Sequence, residues 1–419
     1  MTTTATVIRP LAPSEEIFAG SEVLVGYSMR LSGRLNLAAL SAAFDAVVRA
    51  YPALGAHLEP DGRGHILVES PGSTPEITVV DGDPEQLLSG ARLDQRTALA
   101  ALCVVRDGHS TGVTLVTHHS VADACHSLAV LAEMWSCYTE ISGGGAPRLT
   151  SHRFPDAVED LLLARCVEKM SGLPVSARPL LVAEAPRIAE PVADDDSYLL
   201  PLTARCRLTK RETAALADLA HREGTTINGL ASAAILLTEA ELRELPLTEL
   251  SYTYSVDLRN RVTPTIGHTE GTNVLGFADF VPAPGSGSTL IGLARGISDA
   301  LRSGLASGVV QQTPLHIPDI ASAPPPRAPG IVLATNWGRI DRPRLPEGLR
   351  INDFRTVMIA KPDKAGHRLQ QPSGTIIIST FDDQLSIEIH HPVETTAQQR
   401  RRVRLLAAHL DAVRVAGAA

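Results

Sequence analysis

The spacing of apolar positions separates helices from strands along the chain. Leu37, Leu40, Phe44, Val47 and Val48 recur at i, i+3, i+7, i+10 and i+11, one stripe of a helix that Asn36 can cap and Pro52 can stop. Just before it, Glu22–Leu31 is rich in Val, Leu, Tyr and Met and reads as a strand. Strands are also predicted at His65–Glu69 and Glu76–Val80. Leu102–Arg106 and Gly112–Thr117 read as a hairpin around Asp107-Gly108. A helix from Cys125 to Glu140 gathers Leu128, Leu131, Met134 and Trp135 on one side, and a further helix is expected over Pro155–Met170.

The pattern then breaks. Residues 171–197 carry four prolines and the run Asp194-Asp195-Asp196, the composition of an exposed connection. Beyond it a strand is expected at Leu199–Leu208. Two helical stretches follow, Thr213–His221 and Thr226–Leu242, divided by Gly224. Strands at Leu250–Val256, Gly330–Asn336, Gly374–Thr380 and Gln384–His390 are interrupted by a helix at Leu290–Leu305. A terminal helix closes the pattern at Thr396–Val415. These elements imply two α+β domains of similar size: 1–175, a linker at 176–197, and 198–419.

At 419 residues and 44.5 kDa, the chain is long enough to bury a large core. A net charge of −8 works against binding a phosphate backbone. No apolar run approaches the ~20 residues of a membrane span. The first residues lack the basic start and apolar core of a signal peptide, so a cytoplasmic protein is expected. Five scattered cysteines with no C-x-x-C pair suggest neither a disulfide scaffold nor a zinc knuckle. The common nucleotide-binding, nucleophile-elbow and zincin motifs are missing.

One cluster can carry chemistry: His118-His119-Ser-Val-Ala-Asp123-Ala124-Cys125-His126, where a strand ends and a helix begins. Three readings fit it. Adjacent strand residues face opposite ways, so at least one histidine is structural, and the whole cluster can be a turn. His119, Asp123 and His126, at i, i+4 and i+7, can ligate zinc or iron if they share a helical face. A neutral imidazole can also serve as a general base, with Asp123 holding the turn and needing a cationic partner. Cys125 reads as a small buried filler, His390-His391 as a solvated strand end, and Arg400, Arg401, Arg402 and Arg404 as a solvated helix face that is a weak candidate for docking an acidic carrier protein.

His118-His119-x-x-x-Asp123 resembles the H-H-x-x-x-D-G motif of the condensation-domain and chloramphenicol acetyltransferase superfamily of acyltransferases. The likeness continues in order. It includes Arg9-x-Leu11-x-x-Ser14-Glu15-Glu16-x-Phe18-Ala19, Leu40-Ser-x-Ala-Phe44-Asp45-Ala46 and Tyr51-Pro52-Ala53-Leu54. Asn228 to Glu239, Tyr254-x-Val256-Asp257-Leu258-Arg259, Thr272-Asn273-x-Leu275-Gly276 and Gly308 to His316 extend it through the second half. These segments resemble the mycobacterial polyketide-associated acyltransferases of the phthiocerol/phthiodiolone dimycocerosyl transferase type.

The resemblance implies two chloramphenicol-acetyltransferase-like domains with a tunnel between them. It implies acyl transfer from coenzyme A or a phosphopantetheinyl carrier protein to an alcohol or amine, in polyketide, lipid or natural-product assembly. No metal and no bound cofactor is implied, and an acyl carrier protein or polyketide synthase is the implied partner. His119 would be the base, His118 and Asp123 would support the turn, and Arg259 would pair with Asp123. Ala124, Asn273, Asn336 and Trp337 are cleft-lining candidates. Ala124 departs from the family's glycine, which favours two alternatives: a non-catalytic module that binds a carrier protein, or a thioester hydrolase using the same base.

Overall fold

A computed structural model describes residues 6–69, 75, 77–171, 202–283, 289–322, 330–360, 374–391 and 395–416. The expected linker at 176–197 lies outside them. In chain order the first elements are β1 (Thr6–Pro10), α1 (Pro13–Ala19), β2 (Leu24–Ser32), α2 (Leu37–Ala50), α3 (Pro52–Gly55) and β3 (His57–Pro60). Next come β4 (His65–Glu69), β5 (Ile77–Asp81), β6 (Ala100–Asp107), β7 (Ser110–His118), α4 (Ala124–Ser142) and α5 (Val158–Leu163). The second half runs β8 (Leu202–Arg207), α6 (Lys210–Arg222), α7 (Ile227–Arg243), β9 (Leu250–Asp257), β10 (Leu275–Phe280) and α8 (Leu290–Ala306). It ends with α9 (Ile317–Ser322), β11 (Gly330–Ile340), β12 (Arg350–Ile359), β13 (Thr375–Phe381), β14 (Gln384–His391) and α10 (Thr396–Ala416).

The α+β class holds, and the chain forms two compact units. The grouping is not a single cut along the chain: Pro264–Val274 and Asp341–Lys361 join Met1–Leu161 in the first unit. The first unit contains a five-stranded sheet ordered β12-β2-β7-β6-β5 and a small sheet ordered β1-β4-β3. The predicted helix packs as its stripe requires: Leu40, Phe44 and Val47 are fully buried, and α2 lies against α4. Asn36 caps α2 by accepting from the Ala39 amide, while its own amide donates to the Tyr138 hydroxyl. β6 and β7 form the predicted hairpin, with Gly108 at φ 55° in the tight turn.

The second unit holds a six-stranded mixed sheet ordered β10-β9-β11-β13-β14-β8, with β11 parallel to both neighbours. Helices α7 and α10 pack together, and each also meets the sheet. A buried ionic cluster joins them. Glu239 on α7 pairs with Arg243, whose Nε donates over 3.0 Å, and with Arg402 on α10. Arg402 is only 4% exposed, and desolvation pushes its pKa down to about 10. This corrects the expectation that the Arg400–Arg404 face is solvated throughout. Its spacing gave no sign that one arginine turns inward.

Two further expectations change. The helix anticipated over Pro155–Met170 shortens to α5, because Cys166 adopts a left-handed backbone at φ 57° and turns the chain. His390 is 3% exposed and shares a 3.2 Å hydrogen bond with the Thr203 hydroxyl, so this end of β14 is not solvated. Strands β1, β3, β10 and β12 were not legible in the pattern. In β12 the alternation is broken by Asn352-Asp353, where the register against β2 slips.

Removing the charge at Glu239 leaves two guanidinium groups without their shared counter-ion. Glu239→Gln is therefore expected to lower stability by about 3–5 kcal/mol, read as a fall in the urea midpoint. A fall below about 1 kcal/mol, the range of exposed pairs, would show that the cluster is solvated.

Candidate active site

The turn after β7 is fixed almost entirely through its main chain. The His118 amide donates to the Leu99 carbonyl and the His119 amide to the Val23 carbonyl, both at 2.8 Å. The Ser120 hydroxyl donates to the Glu15 carbonyl at 2.7 Å. Glu15 itself is held by a bidentate pair with Arg9, at 2.6 and 2.7 Å. That pair anchors α1, whose Phe18 stacks on the His119 imidazole with ring centroids 4.0 Å apart and planes 9° from parallel. The Arg9–Phe18 stretch of the sequence is thus the support on which the His119 ring rests.

A second clamp comes from residues 264–274. The Asp123 amide donates to the Thr272 carbonyl at 2.8 Å, and the Val274 amide donates back to Asp123 Oδ2 at 2.8 Å. Asp123 Oδ1 accepts from the His126 amide at 2.9 Å and so caps α4. The Thr272 hydroxyl donates to the Val121 carbonyl, and the Asn273 carboxamide donates to the His119 carbonyl at 2.7 Å. The segment approaches closely at Gly271, where a Cβ would meet Leu161 Cδ1 at 2.4 Å.

The two histidines differ sharply. His118 is wholly buried, and its Nδ1 accepts from the Ser120 amide at 3.2 Å, which puts the ring proton on Nε2. Burial drives its pKa down to about 3, with smaller contributions from His119 and His65. His119 is partly exposed. Burial also lowers its pKa, while its own carbonyl and Asp123 pull the other way. Both rings are therefore neutral near pH 7. Nδ1 of His119 is buried without a hydrogen-bond partner among the described residues, so Nε2 is the nitrogen able to meet a substrate.

The metal reading finds no support in this geometry. Asp123 is committed to two amides, and His126 Nδ1 lies 3.1 Å from the His268 carbonyl. Among the described residues no three His, Cys, Asp or Glu side chains are placed to hold an ion. Ala124 opens α4 in helical conformation and is absent from the left-handed positions, so no positive φ is demanded there. Cys125 is half-exposed, its Sγ 3.8 Å from His268 Nδ1, which corrects its reading as a buried filler.

His118, His119, Asp123, Ala124 and Asn273 thus lie together in the first unit. Arg259, Asn336 and Trp337 belong to the second. Arg259 is 2% exposed, and its Nη1 donates to Asp257 at 3.0 Å. Asn336 is exposed, its side chain accepting from the Gly338 amide at 2.9 Å. Phe18 and Thr272 are not among the residues the sequence singles out individually; their places in the Arg9–Ala19 and Thr272–Gly276 motifs are the available signals.

Two outcomes follow. In the unfolded chain His118 takes up a proton near pH 6.5, and in the folded chain only near pH 3. Stability is therefore fully present above about 6.5 and lost progressively as pH falls toward 3. At 1.36 kcal/mol per unit, the loss at pH 4 is roughly 3 kcal/mol. It is read as the part of the pH dependence of the urea midpoint that His118→Phe removes, and equal slopes in the two proteins would refute it. Ala124→Gly is expected to leave turnover within about twofold and to lower stability by ~0.5–1 kcal/mol, since it places a glycine in a helix. A large gain in turnover would show that the alanine impairs the site.

Residues 197–390 match the sequence profile described as phthiocerol/phthiodiolone dimycocerosyl transferase C-terminus. The phthiocerol/phthiodiolone dimycocerosyl transferase of Mycobacterium ulcerans is 35% identical over 390 residues, covering 92% of each chain. Polyketide synthase associated protein 5 from Mycobacterium tuberculosis superposes with a TM-score of 0.80 at 29% identity, over 96% of this chain and 98% of the other. The first condensation domain of the calcium-dependent antibiotic synthetase shares the fold, with a TM-score of 0.67 at 16% identity over 97% of each chain. No helix among the described residues is long and apolar enough to cross a membrane. With this identity over nearly its whole length, the chain belongs to the phthiocerol/phthiodiolone dimycocerosyl transferase family of acyltransferases, enzymes of lipid assembly.

Proposed function

We propose that this acyltransferase moves an acyl group from a thioester, on coenzyme A or a carrier-protein phosphopantetheine, to an alcohol or amine, with His119 as general base. The observation that carries the reading is the state of His119. It is neutral and held by its main chain and by Phe18, and it has one nitrogen able to face a substrate. His119 Nε2 takes the acceptor proton as the acceptor oxygen or nitrogen attacks the thioester carbonyl. When the tetrahedral intermediate collapses, the carbon–sulfur bond breaks and the imidazolium returns the proton to the departing thiolate. Ester or amide and free thiol are the products, with no net proton change.

Asp123 holds the turn rather than taking part in proton transfer, because both its oxygens are engaged by main-chain amides. Arg259, Asn336 and Trp337 are assigned supporting and cleft-lining roles on the resemblance of their motifs. Membership of a polyketide-associated family makes a carrier protein or polyketide synthase the expected partner, in the cytoplasm. The binding-module alternative rests on Ala124, and the helical backbone at that position speaks against a need for glycine's positive φ.

His119→Ala is expected to lower ester formation from medium- and long-chain acyl-coenzyme A and a long alcohol by about 10²–10⁴-fold, measured by mass spectrometry of the ester. Unchanged ester formation would refute the base. Thioester loss without ester, still dependent on His119, would make the protein a hydrolase. Because burial lowers the pKa of His119, turnover is expected to hold from neutral pH to below the ordinary histidine value of ~6.5 and to fall only in more acidic buffer. An acid limb above 6.5 would contradict a neutral base.

A further inference from the structure

Proton transfer asks two opposite things of His119. At rest its ring must be neutral, and burial secures that by lowering its pKa. During the reaction the same burial penalises the imidazolium that has to form. Base sites commonly meet the second demand with a carboxylate on the other ring nitrogen, which stabilises the cation. Here the carboxylates of the neighbouring elements are engaged elsewhere. Both oxygens of Asp123 accept main-chain amides, Glu15 pairs with Arg9, and Glu16 with His65 at 2.7 Å. Asp123 does favour the charged ring, but less than burial opposes it.

The group stacked on the imidazole is Phe18. The ring centroids are 4.0 Å apart, inside the ~6 Å over which an aromatic face attracts a cation. Planes 9° from parallel present the face of the phenyl ring rather than its edge. That face is the negative side of the ring's quadrupole, so it favours imidazolium over neutral imidazole. The stack is also built into the backbone. The Val23 amide donates to the Phe18 carbonyl at 2.9 Å, and the Val23 carbonyl accepts from the His119 amide at 2.8 Å. One buried residue thus bridges the main chains of the two stacked rings. A second tie runs from the Ser120 hydroxyl, just after the base, to the Glu15 carbonyl on α1.

The strength of this interaction suits the conflict. A carboxylate in contact with the ring would favour its protonated form near pH 7 and take away the base. The pull of a phenyl face on a cation is smaller, roughly 3–30-fold in an equilibrium, and eases charge formation without charging the resting ring. Because the pull grows only as the proton arrives, it acts on the transition state and raises kcat.

We infer that Phe18 is a positioning residue for acyl transfer: its face fixes the plane of the His119 ring and stabilises the imidazolium formed there. The inference rests on the general-base reading and adds to it the group that steadies the charge the base acquires.

The test grades the quadrupole at nearly constant shape, by replacing Phe18 in the full chain with mono-, di- and pentafluorinated phenylalanine. Two rates are read: kcat for ester formation, and carbethoxylation of His119 by diethyl pyrocarbonate, located by peptide mass spectrometry. The second needs no thioester, and in it the neutral ring nitrogen becomes cationic as it attacks the reagent. Both rates are expected to fall stepwise with fluorination, by roughly 3–30-fold at the pentafluorinated ring, with KM within about twofold. Phe18→Leu, apolar but without the face, is expected to lower kcat by a similar factor, and Phe18→Tyr to keep it within about twofold. Circular dichroism and the urea midpoint confirm that each variant folds. Carbethoxylation indifferent to fluorination, or Phe18→Leu as fast as the parent, would overturn the inference and leave the base to be decided by His119→Ala. Graded carbethoxylation beside full turnover in His119→Ala would instead sink the base reading, and with it the part of Phe18 in acyl transfer.

Discussion

The Asp123 carboxylate is the point on which the first unit's site depends. It is wholly buried, and a buried carboxylate without donors is among the costliest groups in a protein interior. One oxygen takes the amide that begins α4, and the other takes an amide that arrives from the far half of the sequence, at Val274. The turn after β7 is therefore complete only when residues 264–274 have docked. Docking that segment brings the Thr272 hydroxyl to Val121 and the Asn273 carboxamide to His119. A local capping interaction and a long-range closure are the same interaction here.

This arrangement leaves the His119 ring available. In many acid–base sites a carboxylate orients the imidazole through one ring nitrogen. Here the direction of the ring follows from backbone bonds on both sides of His119 and from the flat face of Phe18. Orientation is thus separated from proton chemistry. His118, one residue earlier, shows the opposite use of the same side chain: Nδ1 is consumed by a turn amide and burial holds the ring neutral. Two adjacent histidines receive different tasks because the strand ends between them.

Much of this was legible in the sequence. The Asn36-capped helix and the β6–β7 hairpin emerge from spacing alone, since each is a local consequence of periodicity or turn chemistry, whereas the roles of the two histidines come from the resemblance of their motif. The strand β12 did not, because its pairing with β2 is set by a partner more than 300 residues away and its own alternation is interrupted. The inward turn of Arg402 was hidden for a similar reason. A run of arginines on a terminal helix looks solvated until Glu239 is placed opposite it. Cys125 goes the other way: residue type suggests burial, and the side chain is half-exposed, with its Sγ 3.8 Å from His268 Nδ1.

Around His119 the backbone is over-determined: amide bonds on both sides of the residue and the Asn273 carboxamide fix the turn without drawing on the imidazole. Acid–base chemistry needs a fixed geometry, and here main-chain bonds and the flat face of Phe18 supply it.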